Sequence, residues 1–363
     1  MGLKLPEFKF QFNLPFLKKQ KLSLGIDIGS YAVKVCEMTD TSKGRSLLSL
    51  GSSLMPEGAV EDGVLQDPAA VARVISNLSK NIKVKGTKTA ISISGYSVIV
   101  KKINLEVMSD EDMESHIHTE AEQYIPFDIE DVYLDFQNLH TNKEGEDRTD
   151  VMLVAAKKDV VDSYLGMLKT AGLSAVVVDV DAFALENAYE DNFGLTENII
   201  LIDIGASKMN INIISKGTSI LARDVVLGSR QITEQIQARF DLSYEEAEAL
   251  KIGNIPPEDR QEELEDIFSG ACTQWIAEIK RALDFYSSNH PDETISRMVI
   301  SGGGARIKGL DQLFSEEIGI PAEIFNPFSA AIVDNNKIDP EYLKYIAPEM
   351  AISMGLSTRP AEI

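Results

Sequence analysis

Two acidic residues in similar surroundings form the clearest chemical pattern of this 363-residue chain. Asp27 and Asp203 each interrupt an apolar run, and each is followed by isoleucine and then glycine. A carboxylate among apolar residues is costly unless it meets a charge or a hydrogen-bond donor. The glycine two positions later permits a close backbone approach or an unusual φ angle. The pattern predicts a polar corner that holds a phosphate group and its metal ion, although a plain hairpin would explain a single copy equally well.

Each corner is predicted to join two strands. Apolar residues alternate through 22–35 and again through 198–214, with Asp-Ile-Gly between the two strands of each pair. About half of the chain separates the two copies, which is a domain-sized spacing rather than the period of a solenoid. The repetition in the same register favours the phosphate interpretation over two unrelated hairpins.

A third candidate site is the glycine-rich turn from Ser301 to Ala305, between a predicted strand and a predicted helix. Such an arrangement can bind an anion or a nucleotide. It is not the dinucleotide-binding fingerprint, because the third glycine of that motif would fall at Ile307, although Glu323 lies about twenty residues further on. The chain has no Walker A sequence, so a P-loop fold is not predicted. A tight strand-to-helix turn is the simpler alternative.

Composition limits the function classes. The formal net charge of −22 and the pI near 4.6 argue against nucleic acid as a partner, because phosphate contacts need a basic face. The only cysteines, Cys36 and Cys272, exclude a disulfide framework and a cysteine zinc site, and they fit a reducing cytoplasm. The four histidines lack metal-ligand spacing. We therefore expect a globular protein with two substantial domains.

Residues 1–21 form a basic and aromatic leader, in which phenylalanines and leucines alternate with lysines. The leader lacks the apolar core and cleavage site of a signal peptide, and no stretch of the chain is apolar for the roughly 20 residues of a membrane-spanning helix. It could be an arm for an anionic membrane surface or a flexible leader before the first strand. We favour the flexible leader.

Residues 97–181 are predicted to form a compact β-α-β-β-α-β unit. Ser109 opens its first helix, Asp112 completes a capping-box pattern, and Pro126 follows the helix end. The final strand, 174–180, is nearly continuously apolar and is expected to return to the larger sheet. Asp181 directly follows that strand and begins another helix.

The second half of the chain is predicted to be mainly helical after its corner and a further strand. A capping box of Ser243 and Glu246 opens a short helix that Gly253 stops. The remaining predicted helices are 229–240, the longest pattern at 262–286, and 307–318.

The two Asp-Ile-Gly corners, followed by a strand and a Gly-Gly-Gly turn, resemble the motifs of the actin-like ATPase superfamily. The resemblance implies an α/β protein with the actin-like, ribonuclease H-like two-lobed ATPase fold and a small inserted α+β subdomain. It implies a first lobe at 22–96 and 174–195, the insertion at 97–173, and a second lobe at 196–363 with a helical subdomain at about 228–290.

The resemblance also implies the ligands, ATP and Mg²⁺. In such proteins the two corners clasp the phosphates from opposite domains, and the glycine turn backs the adenosine. Asp27 and Asp203 would then hold Mg²⁺ mainly through its waters, while backbone N–H groups and small hydroxyls meet the phosphate oxygens. Glu248 and Lys251 match the residues that flank the ribose and base. The other matching residues are Gly29, Ser30, Tyr31, Lys34, Gly205, Ala206, Ser207, Gly228, Gly302, Gly303, Gly304, Ala305 and Lys308, and Ser229 stands where the family has a second glycine.

A more specific signature lies in the predicted insertion. The segment 120–127, Glu-Ala-Glu-Gln-Tyr-Ile-Pro-Phe, resembles the PilM family of type IV pilus assembly proteins. Supporting matches are 109–111, 135–137, 178–188 and 242–248. A capped helix that ends before a proline would also explain the segment locally, but that does not argue against the family.

The PilM resemblance, which begins at about Leu22, implies a cytoplasmic ATP-binding adaptor at the bacterial inner membrane. Such proteins bind the N-terminal cytoplasmic tail of the bitopic protein PilN beside the inserted subdomain and link the membrane platform to the cytoplasmic motor. Membrane association is then peripheral and through partners, and a ring or other homo-oligomer in the assembled pilus machine, which serves twitching motility, is a further expectation. Residues 113–124 and the strands at Ile91 and Val98 are candidates for the peptide groove.

Asp181 is the candidate catalytic residue. It occupies the strand-to-helix junction at which actin-like hydrolases place a water-orienting Gln or Glu. The shorter acid would either orient water for phosphoryl transfer or cap the following helix. We therefore expect Mg-ATP binding with at most slow hydrolysis.

Two other functions would use the same corners. One is a polymerising cytoskeletal ATPase similar to FtsA, a family with a C-terminal amphipathic membrane helix. Residues 345–363 contain Pro348, Gly355 and Pro360 and show no basic-apolar stripe. The other is a sugar kinase, which needs a sugar-binding insertion and a catalytic acid that the sequence does not reveal.

Overall fold

The computed structural model describes residues 24–141 and 147–359. The predicted leader at 1–21 lies outside the described residues. The chain divides into two compact units. The first holds the described residues up to Asn187 and from Ser353 onward, and the second is Ala188–Ile352. Within the described ranges, no helix is both long and apolar enough to cross a membrane.

Strands lie on both sides of each predicted corner. In chain order they are β1 (Leu24–Ile28), β2 (Ala32–Thr41), β3 (Gly44–Leu54), β4 (Val60–Glu61), β5 (Val64–Leu65), β6 (Lys88–Ile93), β7 (Val98–Glu106), β8 (Val132–Asn138), β9 (Arg148–Lys157), β10 (Ser174–Val180), β11 (Ile199–Ile204), β12 (Met209–Ser215), β13 (Thr218–Val225), β14 (Arg297–Ser301) and β15 (Ala322–Ile324).

Helices cover the segments between them. They are α1 (Pro68–Asn81), α2 (Asp110–Ala121), α3 (Lys158–Thr170), α4 (Asp181–Phe193), α5 (Arg230–Phe240), α6 (Tyr244–Lys251), α7 (Gln261–Asn289), α8 (Leu310–Ile318), α9 (Pro340–Ile346) and α10 (Ala351–Leu356).

The two units contain sheets of the same topology. The first sheet has the order β10-β6-β1-β2-β3, and the second has the order β13-β12-β11-β14-β15. In each sheet the strand before the corner is antiparallel to the strand after it and parallel to its other neighbour. The central strands β1 and β11 are mainly apolar and almost wholly buried, as expected for strands covered on both faces. The two corners therefore occupy equivalent places in two copies of one sheet arrangement.

Helices α1 and α3 pack on the first sheet. Val71 and Ile75 of α1, and Tyr164 and Leu168 of α3, belong to one core with Ile26 of β1. Burying each such side chain contributes roughly 1.5–3 kcal/mol. Helix α3, which lies within the predicted insertion at 97–173, thus contributes to the same core as the first sheet.

The small sheet has the order β7-β9-β8 and is covered by α2. Met113, Ile117 and Ala121 form the predicted apolar stripe of α2 and are buried. The element order β7-α2-β8-β9-α3-β10 matches the predicted one, and β10 joins the larger sheet beside β6.

The two predicted capping boxes differ. At α6, Ser243 and Glu246 exchange both hydrogen bonds of a full box. At α2, the Ser109 hydroxyl accepts from the Asp112 amide at 3.1 Å but donates to the Asp112 carboxylate at 2.6 Å. The shorter aspartate side chain thus contacts the serine side chain, whereas the longer glutamate reaches back to the serine backbone.

The long helix α7 forms the centre of the core in the second unit. Trp275, Ile279 and Tyr286 of α7 are fully buried, as is Phe314 of α8. Helix α8 begins at Leu310 rather than at the predicted Ile307. Residues Gly303–Arg306 instead form one 3₁₀ turn, followed by an extended residue and by Gly309 with a φ of 78°.

The last described residues belong to the first unit, although the sequence analysis assigned 196–363 to the second lobe. A Cβ at Gly25 would lie 2.1 Å from the Ser353 carbonyl oxygen and 2.6 Å from the Ser357 nitrogen. Further along, Arg359 Nε lies 2.6 Å from Asp179 Oδ2 in β10, with both side chains buried. Close backbone contact and a buried ion pair thus fix this segment on the first sheet.

Candidate functional site

The first corner carries its own positive charge. Asp27 in β1 lies directly opposite Lys34 in β2, and Lys34 Nζ is 3.0 Å from Asp27 Oδ2. Both side chains are largely buried. Residues seven apart across a short corner face each other in an antiparallel pair, so the spacing itself produces the contact. Lys34 is thus the charged partner that the buried acid requires.

Residues 29–31 form the turn of this corner. The Gly29 amide donates to the Ala32 carbonyl at 3.1 Å, and the Tyr31 carbonyl accepts from the Met55 amide at 2.8 Å. A Cβ at position 29 would lie 3.0 Å from the Ala32 oxygen and 3.2 Å from Lys34 Nζ. The absence of a side chain at Gly29 therefore allows the turn to pack closely against Lys34. Ser30 lies in the turn between Gly29 and Tyr31.

Asp181 lies at the same edge of the first sheet as the Asp27 corner. It is the first residue of α4, directly after β10, and is only 8% exposed. Strands β1, β6 and β10 are parallel, so the ends of β1 and β10 point to one edge. The carboxyl edge of parallel strands is where ligands bind in open α/β sheets.

Asp179 lies near the end of β10, two residues before Asp181, and its carboxylate forms a buried ion pair with Arg359. Burial raises the pKa of Asp179, while the adjacent Arg359 opposes this shift. The sequence analysis did not identify Arg359, because its partner lies far away in the chain and no local pattern connects them.

The second corner repeats the turn of the first. The Gly205 amide donates to the Lys208 carbonyl at 2.9 Å, in the manner of Gly29 and Ala32. Asp203 differs from Asp27 in its neighbour, because Asp203 Oδ2 accepts from the Ser301 hydroxyl at 2.8 Å. Ser301 is the residue paired with Asp203 across β11 and β14.

Gly228 lies against the second corner. A Cβ at this position would be 2.0 Å from the Ala206 carbonyl oxygen and 2.6 Å from the Ser207 carbonyl carbon. The Ser229 and Arg230 amides donate to the Gly205 and Ala206 carbonyls, each at 2.9 Å. The requirement for glycine at 228 therefore comes from a contact with the corner, which fixes the start of α5 there.

Glu248 and Lys251 form a buried ion pair with an N–O distance of 2.6 Å. Thr233 of α5 donates to Glu248 at 2.8 Å and accepts from Lys251 at 2.9 Å. Burial lowers the pKa of Lys251, and Glu248 opposes that shift. The pair thus connects α6 to α5, and Thr233, which the sequence analysis did not identify, completes it.

The three glycines of the third turn have different surroundings. Gly302 has a φ of 86°, and a Cβ there would lie 2.4 Å from the Ile204 carbonyl oxygen. A Cβ at Gly304 would lie 2.4 Å from Ile204 Cγ2, whereas a Cβ at Gly303 would meet nothing within 4 Å. Ala305 is buried. Gly302 and Gly304 thus permit packing on the second corner, and Gly303 is left with open space above it.

Two of the predicted nucleotide contacts line a pocket of 540 Å³ within the second unit. Lys251 lies at its wall, and Lys308 donates to the Gly253 carbonyl at 3.0 Å. The other walls are mainly apolar and include Ile255, Pro256, Leu264, Phe268, Ile307 and Leu313. The pocket thus has mainly apolar walls, and the ammonium groups of both lysines already have partners in Glu248 and the Gly253 carbonyl.

In the second unit the structure brings together the Asp203 corner, Gly228 and the turn at 302–305. In the first unit it brings together Asp27, Lys34 and Asp181 at one sheet edge. Among the described residues, no group of three or more His, Cys, Asp or Glu side chains is arranged to hold a metal ion.

Comparison with known proteins gives a consistent result. A family model described as type IV pilus assembly protein PilM matches residues 25–361. A chain in a solved PilM-PilN type IV pilus biogenesis complex is 29% identical, with a TM-score of 0.83 over 95% of this chain and 100% of that chain.

More distant relatives are found by sequence and by structure. The cell division protein FtsA of Borreliella burgdorferi is 21% identical over 375 residues, which cover 89% of each chain. MreB 5 of Spiroplasma citri, solved with AMPPNP, is 13% identical with a TM-score of 0.51, covering 93% of this chain and 95% of that chain. The predicted actin-like ATPase fold is thus confirmed, and the chain belongs to the PilM family of type IV pilus assembly proteins.

Proposed function

We propose that this chain is an ATP-binding adaptor of type IV pilus assembly that binds the N-terminal cytoplasmic tail of a PilN-like bitopic membrane protein. The observation that carries this proposal is the match, over nearly the whole chain, to a chain of a solved PilM-PilN complex, together with the match to the PilM family model. In this role the protein acts at the cytoplasmic face of the bacterial inner membrane. It reaches the membrane through its partners and links the platform to the cytoplasmic motor, and the assembled machine contains it as a ring or other homo-oligomer.

Nucleotide binding is the second part of the proposal. Each unit presents a turn with the same backbone hydrogen bond beside an aspartate, which is buried in the first unit and half-buried in the second, and MreB 5 of the same fold was solved with AMPPNP. Backbone amides of such turns suit phosphate oxygens, and Lys34 adds a positive charge. Within each unit we propose the turn of the corner as a phosphate contact, and within the second unit we propose Lys251, Lys308 and Gly303 as adenosine contacts. Hydrolysis is slow, with Asp181 orienting the water.

The peptide contacts are proposed on the first unit. Ile91 and Met113 are fully buried in the core, so they are not available to a peptide. Tyr96, in the turn between β6 and β7, is 71% exposed, and Val98 follows it at the start of β7. An exposed tyrosine beside the small sheet is a suitable anchor for a peptide, because aromatic residues supply much of the energy of such contacts.

A pull-down with synthetic N-terminal tails of bitopic pilus proteins, with and without Mg-ATP, tests the adaptor role. We expect the protein to retain the tail, and Tyr96→Ala to weaken retention at least tenfold, about 1.4 kcal/mol. Tyr342→Ala is the matched control, because Tyr342 is also an exposed tyrosine but lies in the second unit. Failure to retain any tail in either condition would contradict the proposal.

One observation favours a second candidate, a polymerising ATPase. The chain is 21% identical to a cell division protein FtsA over 89% of its length. One observation speaks against this candidate. The apolar residues Ile352, Met354 and Leu356 of α10 are buried, so they do not form the exposed apolar face of an amphipathic membrane helix. Sedimentation with Mg-ATP separates the two candidates, since a polymer would pellet and an adaptor alone would stay in the supernatant.

A further inference from the structure

We infer that Asn210 supplies an oxygen ligand to the hydrated Mg²⁺ ion beside Asp203, with Asp224 and Lys208 fixing the orientation of its side-chain amide. The inference rests on the proposed binding of Mg-ATP, and it names a residue of the metal site that the corner motifs do not include.

A row of polar side chains crosses the second sheet at the corner. Asp203 of β11 is paired with Ser301 of β14 on one side and with Asn210 of β12 on the other. Asn210 is in turn paired with Asp224 of β13. Directly opposed residues project to the same face, with Cβ atoms about 4.5–5.5 Å apart. The four side chains therefore form one continuous polar row across the sheet, and Asp203 of the corner lies within it.

Hydrogen bonds within this row orient the Asn210 amide. Asn210 Nδ2 donates to Asp224 Oδ1 at 2.9 Å, and Lys208 Nζ lies 3.3 Å from Asp224 Oδ2. A carboxylate can only accept, so the NH₂ group of the amide must face Asp224. The carbonyl oxygen of the amide is consequently turned away from Asp224.

The Asn210 Oδ1 atom is buried and has no hydrogen-bond partner within the described part of the chain. The whole residue is only 5% exposed. A buried acceptor without a donor costs roughly 1–3 kcal/mol, so such an atom calls for an explanation. Its neighbour along the row is the carboxylate of Asp203, which is also an acceptor. A metal ion coordinated by the amide oxygen resolves this arrangement, because its bound water can donate to the Asp203 carboxylate.

The chemistry of these oxygens fits magnesium. A carboxylate and an amide carbonyl are hard ligands, and Mg²⁺ retains several waters while using one or two protein carboxylates. The Ser301 hydroxyl holds one oxygen of Asp203, as an outer-shell group does for a metal ligand. Asp224 has the corresponding outer-shell role for Asn210.

The first corner has the opposite arrangement. There, the residue paired with Asp27 is Lys34, whose ammonium group lies 3.0 Å from the carboxylate. A lysine in that place supplies the positive charge and disfavours a cation beside it. In the equivalent place of the second corner, the neutral amide of Asn210 offers an oxygen atom instead of an ammonium group. This difference favours a metal beside Asp203 over one beside Asp27.

The test measures metal binding rather than turnover. Mn²⁺ replaces Mg²⁺, and its affinity for the ATP-loaded protein is measured by electron paramagnetic resonance. Fluorescent ATP binding is measured in parallel, with Mg²⁺ and with EDTA. We expect Asn210→Ala to weaken Mn²⁺ binding about tenfold or more, which is the usual loss when a residue around a bound metal is replaced. The affinity for ATP in EDTA should be unchanged.

Asp224→Asn and Asn212→Ala complete the design. Asp224→Asn keeps the side-chain volume but can present its own NH₂ group to Asn210, so the amide is no longer oriented and Mn²⁺ binding should fall about tenfold. Asn212 is buried two residues further along β12, accepts from Ser219 at 2.7 Å and lies away from the corner. Asn212→Ala controls for the loss of a buried amide and should leave Mn²⁺ affinity unchanged.

Folded Asn210→Ala and Asp224→Asn proteins that bind Mn²⁺ as tightly as the unaltered protein would overturn the inference. If Asn210→Ala does not fold, the Asp224→Asn measurement decides. An unaltered protein that binds no ATP under any condition would overturn the proposed function instead, so the two failures are distinguishable.

Discussion

Lys34 lies directly opposite Asp27 across the first hairpin, with its ammonium nitrogen 3.0 Å from the carboxylate. The pair neutralises the charge of a largely buried acid, and it places one positive charge next to the turn at Gly29. The chain therefore builds two turns with the same backbone hydrogen bond, and the residue paired with the aspartate differs between them: it is Lys34 at the first corner and Asn210 at the second.

Lys34→Met is expected to lower both stability and ATP affinity. Removing one member of a largely buried pair leaves an uncompensated charge, which costs up to 3–5 kcal/mol when burial is complete, and about 1–3 kcal/mol is reasonable here because part of each side chain reaches solvent. Urea unfolding measures the first effect and fluorescent ATP binding the second. Lys43→Met is the control, since Lys43 is exposed in the turn between β2 and β3. Equal stability of the two variants would show that the Asp27 contact contributes nothing.

Gly303→Ala and Gly304→Ala are expected to separate ligand contact from packing. A Cβ at 303 meets nothing within 4 Å, so the substitution should leave unfolding unchanged but weaken ATP binding if adenosine lies against this turn. A Cβ at 304 would lie 2.4 Å from Ile204 Cγ2, and such overpacking typically costs about 1–3 kcal/mol. Thermal unfolding and ATP titration of both variants check this. Normal ATP affinity of Gly303→Ala would remove the turn from the binding site.

The corners could be predicted because everything that defines them is local. Alternation on both sides of Asp27 and Asp203 determines the hairpins, and the following glycine determines the turn. The start of α6 at Ser243 and Glu246 was predictable for the same reason. These features depend on residues within about ten positions of one another, so their chemistry is visible in the sequence.

The contacts that complete the site depend on tertiary structure and could not be predicted in that way. Ser301 reaches Asp203 only because β14 lies beside β11, and Arg359 reaches Asp179 only because the end of the chain returns to the first sheet. The three glycines at 302–304 look equivalent in sequence, but Ile204 lies against two of them and not the third. Similarly, the start of α8 depended on the left-handed backbone at Gly309, which periodicity does not reveal.

Asp181→Asn distinguishes a catalytic from a structural role at the end of β10. If Asp181 orients water, the variant should bind ATP as before while its slow turnover falls at least tenfold, about 1.4 kcal/mol in the barrier. Single-turnover hydrolysis and ATP titration measure the two quantities. If the carboxylate only stabilises the helix start, turnover should stay the same and the free energy of unfolding should fall by about 1 kcal/mol. A fast ATPase without any partner would contradict the proposed slow hydrolysis.

Arg359→Leu is expected to destabilise the first unit in a pH-dependent manner. Arg359 and Asp179 are both buried, and breaking a buried pair by removing one member costs about 3–5 kcal/mol at neutral pH, because the remaining carboxylate is charged and desolvated. Burial already raises the pKa of Asp179, and the loss of Arg359 raises it further. The folded variant then binds more protons than its unfolded chain above the ordinary Asp pKa of about 4, so its stability falls as pH rises.

The stability deficit of Arg359→Leu should therefore shrink from pH 7 toward pH 4, as measured by urea unfolding of both proteins across that range. Arg359→Leu combined with Asp179→Leu removes both charges and is the matched control. Replacing a buried pair with apolar residues is often neutral, so the double variant should recover most of the stability at pH 7 and lose the pH dependence. A deficit that stayed constant with pH would show that Arg359 contributes through packing and not through the charge of Asp179.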